Sequence, residues 1–157
     1  MTDFQPGERY YEGKNWDPGK IEGPSFWKTL DYRRTVWEPG HQVIEWEAKE
    51  DHSFPSASGY IVHGGMVATV LDTAMGGACA TLMDLKHSFL TADLRVEFLR
   101  ATRPGVLRAE GHVVRRARRV VFCSADLYDF EGSHLATARC TQIVLPSEQG
   151  DRGEVGG

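Results

Sequence analysis

The residues best placed to do chemistry fall in one stretch: Gly59-Tyr60-Ile61-Val62-His63-Gly64-Gly65-Met66, then Leu71-Asp72-Thr73-Ala74. His63-Gly64-Gly65 directly precedes a long apolar ladder, which sets these three residues at the start of a helix. The first N–H groups of a helix have no intrahelical acceptor. With the positive end of the dipole they suit an anion or a developing oxyanion. Glycine there removes the side chain that would hold a ligand carbonyl away from the backbone. Asp72 follows Gly64 by eight residues, so at about 100° per residue it lies at the edge of the apolar stripe. A carboxylate at such a border is costly unless partnered, which makes it a candidate base or nucleophile. The structural alternative is an Asp paired to a backbone N–H or an arginine.

The elements that must position these residues are readable from period and turn chemistry. From Met66 the apolar positions are 66, 67, 70, 71, 74, 75, 78, 79, 82 and 83, an i, i+4 ladder that predicts one long, mostly buried helix. Gly76 and Gly77 inside it suggest close backbone approach to a sheet or to another subunit. Before the helix, Leu30–Trp37 and His41–Lys49 flank Glu38-Pro39-Gly40, a hairpin signature. After it, Phe89–Leu99, Val106–Arg115, Val120–Asp129 and His134–Leu145 read as strands joined by short links, an antiparallel meander. One apolar helix with about six antiparallel strands is a two-layer α+β domain, the sheet curled around the helix. The expected domain spans residues 30–146. Residues 1–29, rich in Gly and Pro but carrying Phe4, Tyr10, Tyr11 and Trp16, read as an irregular arm packed on the sheet or on a partner. Residues 147–157 read as a flexible tail.

Composition narrows the function classes. The chain has 157 residues, 41% of them apolar, and carries 18 basic against 22 acidic side chains, a formal charge of −4. That balance argues against a nucleic-acid partner. No apolar run reaches the roughly 18 residues of a membrane helix, and the N-terminus lacks the basic and apolar regions of a secretion signal. The expectation is a cytoplasmic protein without a membrane partner. Cys79, Cys123 and Cys140 are too few and scattered for a disulfide framework, and neither Cys79 nor His87 has a partner at metal-ligand spacing.

The HGG start, the Asp nine residues after His63 and the Thr-Ala that follows it resemble the hotdog-fold acyl-CoA thioesterases. The phenylacetate-degradation (PaaI) type is nearest, over roughly residues 54–145. The resemblance implies hydrolysis of an acyl-coenzyme A thioester to a carboxylic acid and coenzyme A, with no cofactor beyond the coenzyme A of the substrate. It implies that the Gly64 N–H, beside Gly65, polarises the thioester carbonyl. Asp72 then acts as general base or nucleophile on that same carbonyl, and Thr91 holds the attacking water. His63 would orient substrate or reach Asp72 across a subunit boundary, a satisfied structural histidine being the other reading. Many members carry Asn six residues before the motif His; here that position is Ala57, with Ser56 and Ser58 as substitutes. Arg116, Arg118 and Arg119, in the basic cluster that begins at Arg115, would clamp the coenzyme A phosphates or form a solvated hairpin tip. The resemblance further implies a homodimer or homotetramer with the site at the dimer interface. Asp72 would come from one subunit, the neighbour supplying part of the pocket, with Thr91 a candidate for that part. Two alternatives are an acyl-thioester dehydratase or hydratase on the same fold, and a non-catalytic acyl-CoA-binding module.

Overall fold

A computed structural model of the chain describes residues 26–83 and 87–145. The expected arm up to residue 25 and the expected tail lie outside the described residues. The elements run α1 (Phe26–Leu30), β1 (Arg33–Glu38), β2 (His41–Ala48), a 3-10 turn (Glu50–His52), β3 (Ser53–Ser56), β4 (Gly59–Val62), α2 (Gly64–Ala80), β5 (Ser88–Phe98), β6 (Gly105–Arg116), β7 (Val120–Asp129) and β8 (His134–Leu145). Six strands form one antiparallel sheet in the order β1-β2-β6-β7-β8-β5, and β3 pairs with β4 in a separate hairpin. This is the α+β hotdog architecture of a sheet wrapped on one long helix. Among the described residues, no helix is long and apolar enough to cross a membrane.

The β1–β2 hairpin forms where Pro39-Gly40 predicts it, Gly40 adopting φ +73° to close the turn. Its Gly40 N–H donates to Thr81 Oγ1 at 2.7 Å, tying the hairpin to the end of α2. The expected four-strand meander is corrected: β6, β7 and β8 are consecutive neighbours, but β5 pairs with β8 and β6 pairs with β2. Arg103-Pro104-Gly105 looks like a hairpin turn in sequence, yet residues 99–104 form a crossover. Leu99 N–H and Arg100 N–H both donate to the Leu135 carbonyl, and Thr102 accepts from Val62 N–H. Those bonds run the link across the sheet end instead of turning it back. The hairpin β3–β4 was not expected, because Pro55 and the serines around it suppress the alternation of a strand. The last residues of the expected arm form α1.

The inner face of α2, with Val67, Val70, Leu71, Ala74, Met75, Ala78 and Cys79 all buried, packs on Ile44, Trp46, Leu107, Ala109, Val121, Ala125 and Leu127 from β2, β6 and β7. Two glycines set the closeness of this contact. A Cβ on Gly111 of β6 would stand 2.2 Å from the Ala74 carbonyl oxygen, and one on Gly77 would stand 2.0 Å from Gln42 Nε2. The close approach expected at Gly77 is therefore present. At Gly76 the nearest atom, on the Phe89 ring, is 3.7 Å from such a Cβ, an ordinary contact. The edge strand β5 differs from the rest of the sheet: every residue in it is exposed except the half-buried Phe89 and Val96.

Because backbone cannot yield as a flexible side chain can, Gly111→Ala is expected to destabilise the fold by about 3 kcal/mol or more. Gly76→Ala, with room for a methyl group and a better helix residue, should be neutral or stabilising by up to about 1 kcal/mol. Urea denaturation of both variants checks the pair, and equal effects would contradict the seating described.

Candidate active site

The start of α2 is built by local hydrogen bonding. His63 is its N-cap, with Nδ1 accepting from the Gly65 N–H at 2.9 Å. The structural reading of His63 is thus the one the geometry supplies, and the Gly65 amide is already engaged. Among the described residues no acceptor takes the Gly64 N–H. A Cβ on Gly64 would lie 3.2 Å from the Phe98 ring, so glycine lets that ring sit close beside the amide without a shift. Gly64 lines a cavity of about 380 Å³ together with Phe54, Val67, Phe98, Leu99 and Thr102.

Asp72 lies two turns further along α2 and meets the strand after the helix. β5 carries a bulge between Thr91 and Asp93, an irregularity that re-aims side chains. Thr91 sits directly across from Gln142 of β8, and its hydroxyl lies 2.9 Å from Asp72 Oδ1 and 3.1 Å from Gln142 Oε1. Burial pushes the Asp72 carboxyl above its usual range, and the Thr91 hydrogen bond brings it part of the way back. The group opens onto a cavity of about 390 Å³ walled by Trp27, Tyr32, Trp37, Met83 and Phe89, with Gly76 and Gly77 on the helix side. That volume and apolar lining are those of a small-molecule site. Arg34 also borders it, its guanidinium carbon 3.8 Å over the Trp37 ring and its Nε donating to Gln42 Oε1 at 3.0 Å. Gln42 in turn donates to the Thr73 carbonyl at 3.1 Å, so the wall is fastened to α2.

The structure brings together some expected site residues and separates others. Thr91 meets Asp72 within one protomer, where the expectation left it to a neighbour. Gly64 and Asp72 line different cavities. Eight residues of helix put them about 12 Å apart along the axis, too far for one protomer to hold both against a single carbonyl. Ser56 and Ser58 line neither cavity. Ser56 donates to the Gly59 carbonyl, while the Ser58 carbonyl and hydroxyl are held by Arg103 at 2.9 and 2.7 Å. Ala57, at the position of the missing Asn, is an exposed turn residue of the same hairpin. The Arg116 guanidinium donates to the Leu82 carbonyl just past the end of α2, and Arg118 and Arg119 are exposed at the β6–β7 tip. All three cysteines are buried thiols. Sequence reasoning missed the cavity wall and Gln142, a residue fully removed from solvent. The signal was there: Gln142 shares the inward parity of Ala138, Cys140 and Val144, and a polar residue on an inward face is the unusual one.

Comparison with known proteins agrees with this architecture. Residues 59–136 match the model of the thioesterase superfamily. The medium/long-chain acyl-CoA thioesterase YigI of Escherichia coli K12 is 29% identical over an alignment 97 positions long that covers 54% of this chain and 63% of that protein. A thioesterase family protein from Silicibacter pomeroyi superposes with a TM-score of 0.71 at 27% identity, over 79% of this chain and 91% of that one. A phenylacetic acid degradation-related protein from Ralstonia eutropha JMP134 superposes with a TM-score of 0.72 at 25% identity, over 80% and 93%. Strand order, the glycine start of α2 and the family match agree, and the chain belongs to the hotdog-fold thioesterase superfamily.

Proposed function

We propose that the chain is a cytoplasmic acyl-coenzyme A thioesterase of the phenylacetate-degradation type, acting on its substrate between two protomers. The observation that carries this reading is a half-buried carboxyl, Asp72, its pKa raised by burial and its side chain held by Thr91 at the mouth of an apolar cavity of about 390 Å³. A carboxyl lifted by burial is a better base than a solvated one. As general base, Asp72 takes a proton from water as the water oxygen bonds to the thioester carbon; the carbon–sulfur bond breaks and that proton passes to the departing thiolate. As nucleophile, Asp72 bonds to that carbon, the thiolate leaves from a mixed anhydride, and water then cleaves the anhydride, freeing the acid and Asp72 and supplying the proton of the thiol. The acyl group occupies the aromatic cavity beside Asp72, and its carbonyl oxygen accepts the open Gly64 N–H, a contact of the kind worth roughly 2.7–4 kcal/mol.

The roughly 12 Å of helix between those groups supports a site in which they come from different protomers. β5 supports that assignment. It is an edge strand of 11 residues with Leu90 62%, Leu94 38% and Phe98 57% exposed, a surface that a lone protomer would leave as an aggregation edge. Pairing β5 with its copy about a two-fold axis runs the two α2 helices antiparallel and brings the Gly64 of each toward the Asp72 of the other. A homodimer is thus the smallest active unit, and dimers of this kind can pair into tetramers. Arg118 and Arg119 remain for the coenzyme A phosphates, and Arg116 anchors the end of α2.

Asp72→Asn is expected to lower turnover of an acyl-CoA panel, followed by thiol release, at least about 100-fold with oligomer size unchanged. Retained turnover would remove Asp72 from the mechanism. The same variant reports on stability. Because the folded-state pKa is raised, the contribution of Asp72 to stability is present below its unfolded pKa and lost as pH rises through the folded one. Asp72→Asn should therefore melt above wild type at about pH 8 and converge on it toward about pH 4. Mixing inactive Asp72→Asn protomers with inactive Gly64→Val protomers should restore about a quarter of wild-type activity, since half the dimers are mixed and hold one intact site of two. No recovery after confirmed exchange would place both groups of one site in one protomer.

A further inference from the structure

The Thr91 hydroxyl has one proton, yet it lies within hydrogen-bonding distance of two oxygens, Asp72 Oδ1 at 2.9 Å and Gln142 Oε1 at 3.1 Å. On its other side the Gln142 amide nitrogen lies 3.2 Å from Cys140 Sγ, a poor acceptor. Gln142 is fully buried, so its polar atoms must be satisfied from this neighbourhood. The oxygen and nitrogen of a side-chain amide exchange places by a half-turn. After that turn Gln142 Nε2 donates to Thr91 Oγ1, Thr91 donates to Asp72, and Gln142 Oε1 faces Cys140. The hydrogen bond with Cys123, together with burial, pushes the Cys140 thiol up and keeps it an S–H, whose one hydrogen Cys123 and Gln142 Oε1 share. The Thr91 proton then has a single acceptor, and the chain ends on the carboxylate that the reaction needs.

We propose that Gln142 is a positioning residue that donates its side-chain amide to Thr91 and so commits the Thr91 proton to Asp72. The inference rests on Asp72 being the group that acts on the thioester. With the amide in this orientation the Asp72 carboxylate is held in one rotamer as a proton acceptor. In the opposite orientation Thr91 donates to Gln142, and only a protonated Asp72 completes the chain. The ionisable groups around Asp72 are Cys79 on α2, Cys123 on β7 and Cys140 on β8, with Arg34, Tyr32 and His87 on the cavity wall. β5 contributes Thr91, which does not ionise.

The test reads Asp72 directly, through the pH titration of its carboxyl carbon by NMR in the full-length wild type, Gln142→Met, Thr91→Val and the double variant. Gln142→Met should move the midpoint upward by at least about half a pH unit, with kcat about 5-fold lower and KM within about 2-fold. The Gln142 substitution should add nothing once Thr91 is valine. In wild type the Gln142 side-chain NH2 signal should titrate together with Asp72, and cease to do so in Thr91→Val. A downward midpoint in Gln142→Met shows that Gln142 draws the Thr91 proton away from Asp72 and overturns the proposal. An unmoved midpoint, independent effects in the double variant, or an NH2 signal indifferent to Asp72 also overturns it and leaves Gln142 a packing residue. Wild-type protein that titrates as expected but releases no thiol from any acyl-CoA would refute the thioesterase reading while the Gln142–Thr91–Asp72 chain stands.

Discussion

The rest of the structure depends on one constraint: a single helix, apolar around most of its circumference, must be buried by one sheet. Only a curled sheet reaches far enough around α2, and only small residues let the two backbones come together. Ala74 of α2 lies over Gly111 of β6, and Gly77 leaves no more room than the Gln42 amide needs. At that separation the core is closed by Trp46, Leu71, Met75 and Leu127, and the three cysteines are buried free thiols. Such a seating tolerates no added atoms where it is tightest.

The same constraint produces the site. Asp72 sits where the apolar stripe of α2 ends, so it is half-buried: low enough in dielectric to lift its pKa, near enough to solvent to admit water. β5 arrives there from the far side of the sheet, and its bulge turns Thr91 onto the carboxyl. A carboxylate kept in this way works against the fold at neutral pH, which is the usual sign of a group retained for chemistry. Behind it, Gln142 shows that the hydrogen-bonding does not stop at the residue that touches solvent.

The crossover after β5 has a wider consequence. By sending β5 to the edge beyond β8, it leaves one long strand paired on one side only, with Leu90, Leu94 and Phe98 exposed. A hairpin at Arg103-Pro104-Gly105 would have buried β5 within the sheet, and the helix start with Gly64 would have had no exposed edge beside it. The proposed site between protomers therefore rests on the strand order as much as on any side chain. Phe98 and Leu99 border the Gly64 cavity and are exposed at that edge, so the cavity and the edge form one continuous surface.

Local information was enough for much of this. The i, i+4 ladder from Met66, the Pro39-Gly40 turn and the alternation in residues 120–129 and 134–145 state their elements directly, because hydrophobic period and turn chemistry act over a few residues. The HGG start and the position of Asp72 at the rim of the stripe are likewise matters of helix geometry, and they were legible. Four things were not. The pairing of β5 with β8 depends on where a link of six residues goes, which Leu135 and Val62 decide from elsewhere in the chain. The Thr91–Asp72 bond depends on that pairing and on a bulge with no sequence mark of its own. The roles of Ser58 and Arg116 were set by Arg103 and the Leu82 carbonyl, partners distant in sequence. Gln142 could be seen as an oddity on an inward face, but its neighbours could not. Elements and their apolar faces follow from contacts a few residues apart. Which polar group meets which follows from strand order, and that is decided by the free energy of closing the whole core.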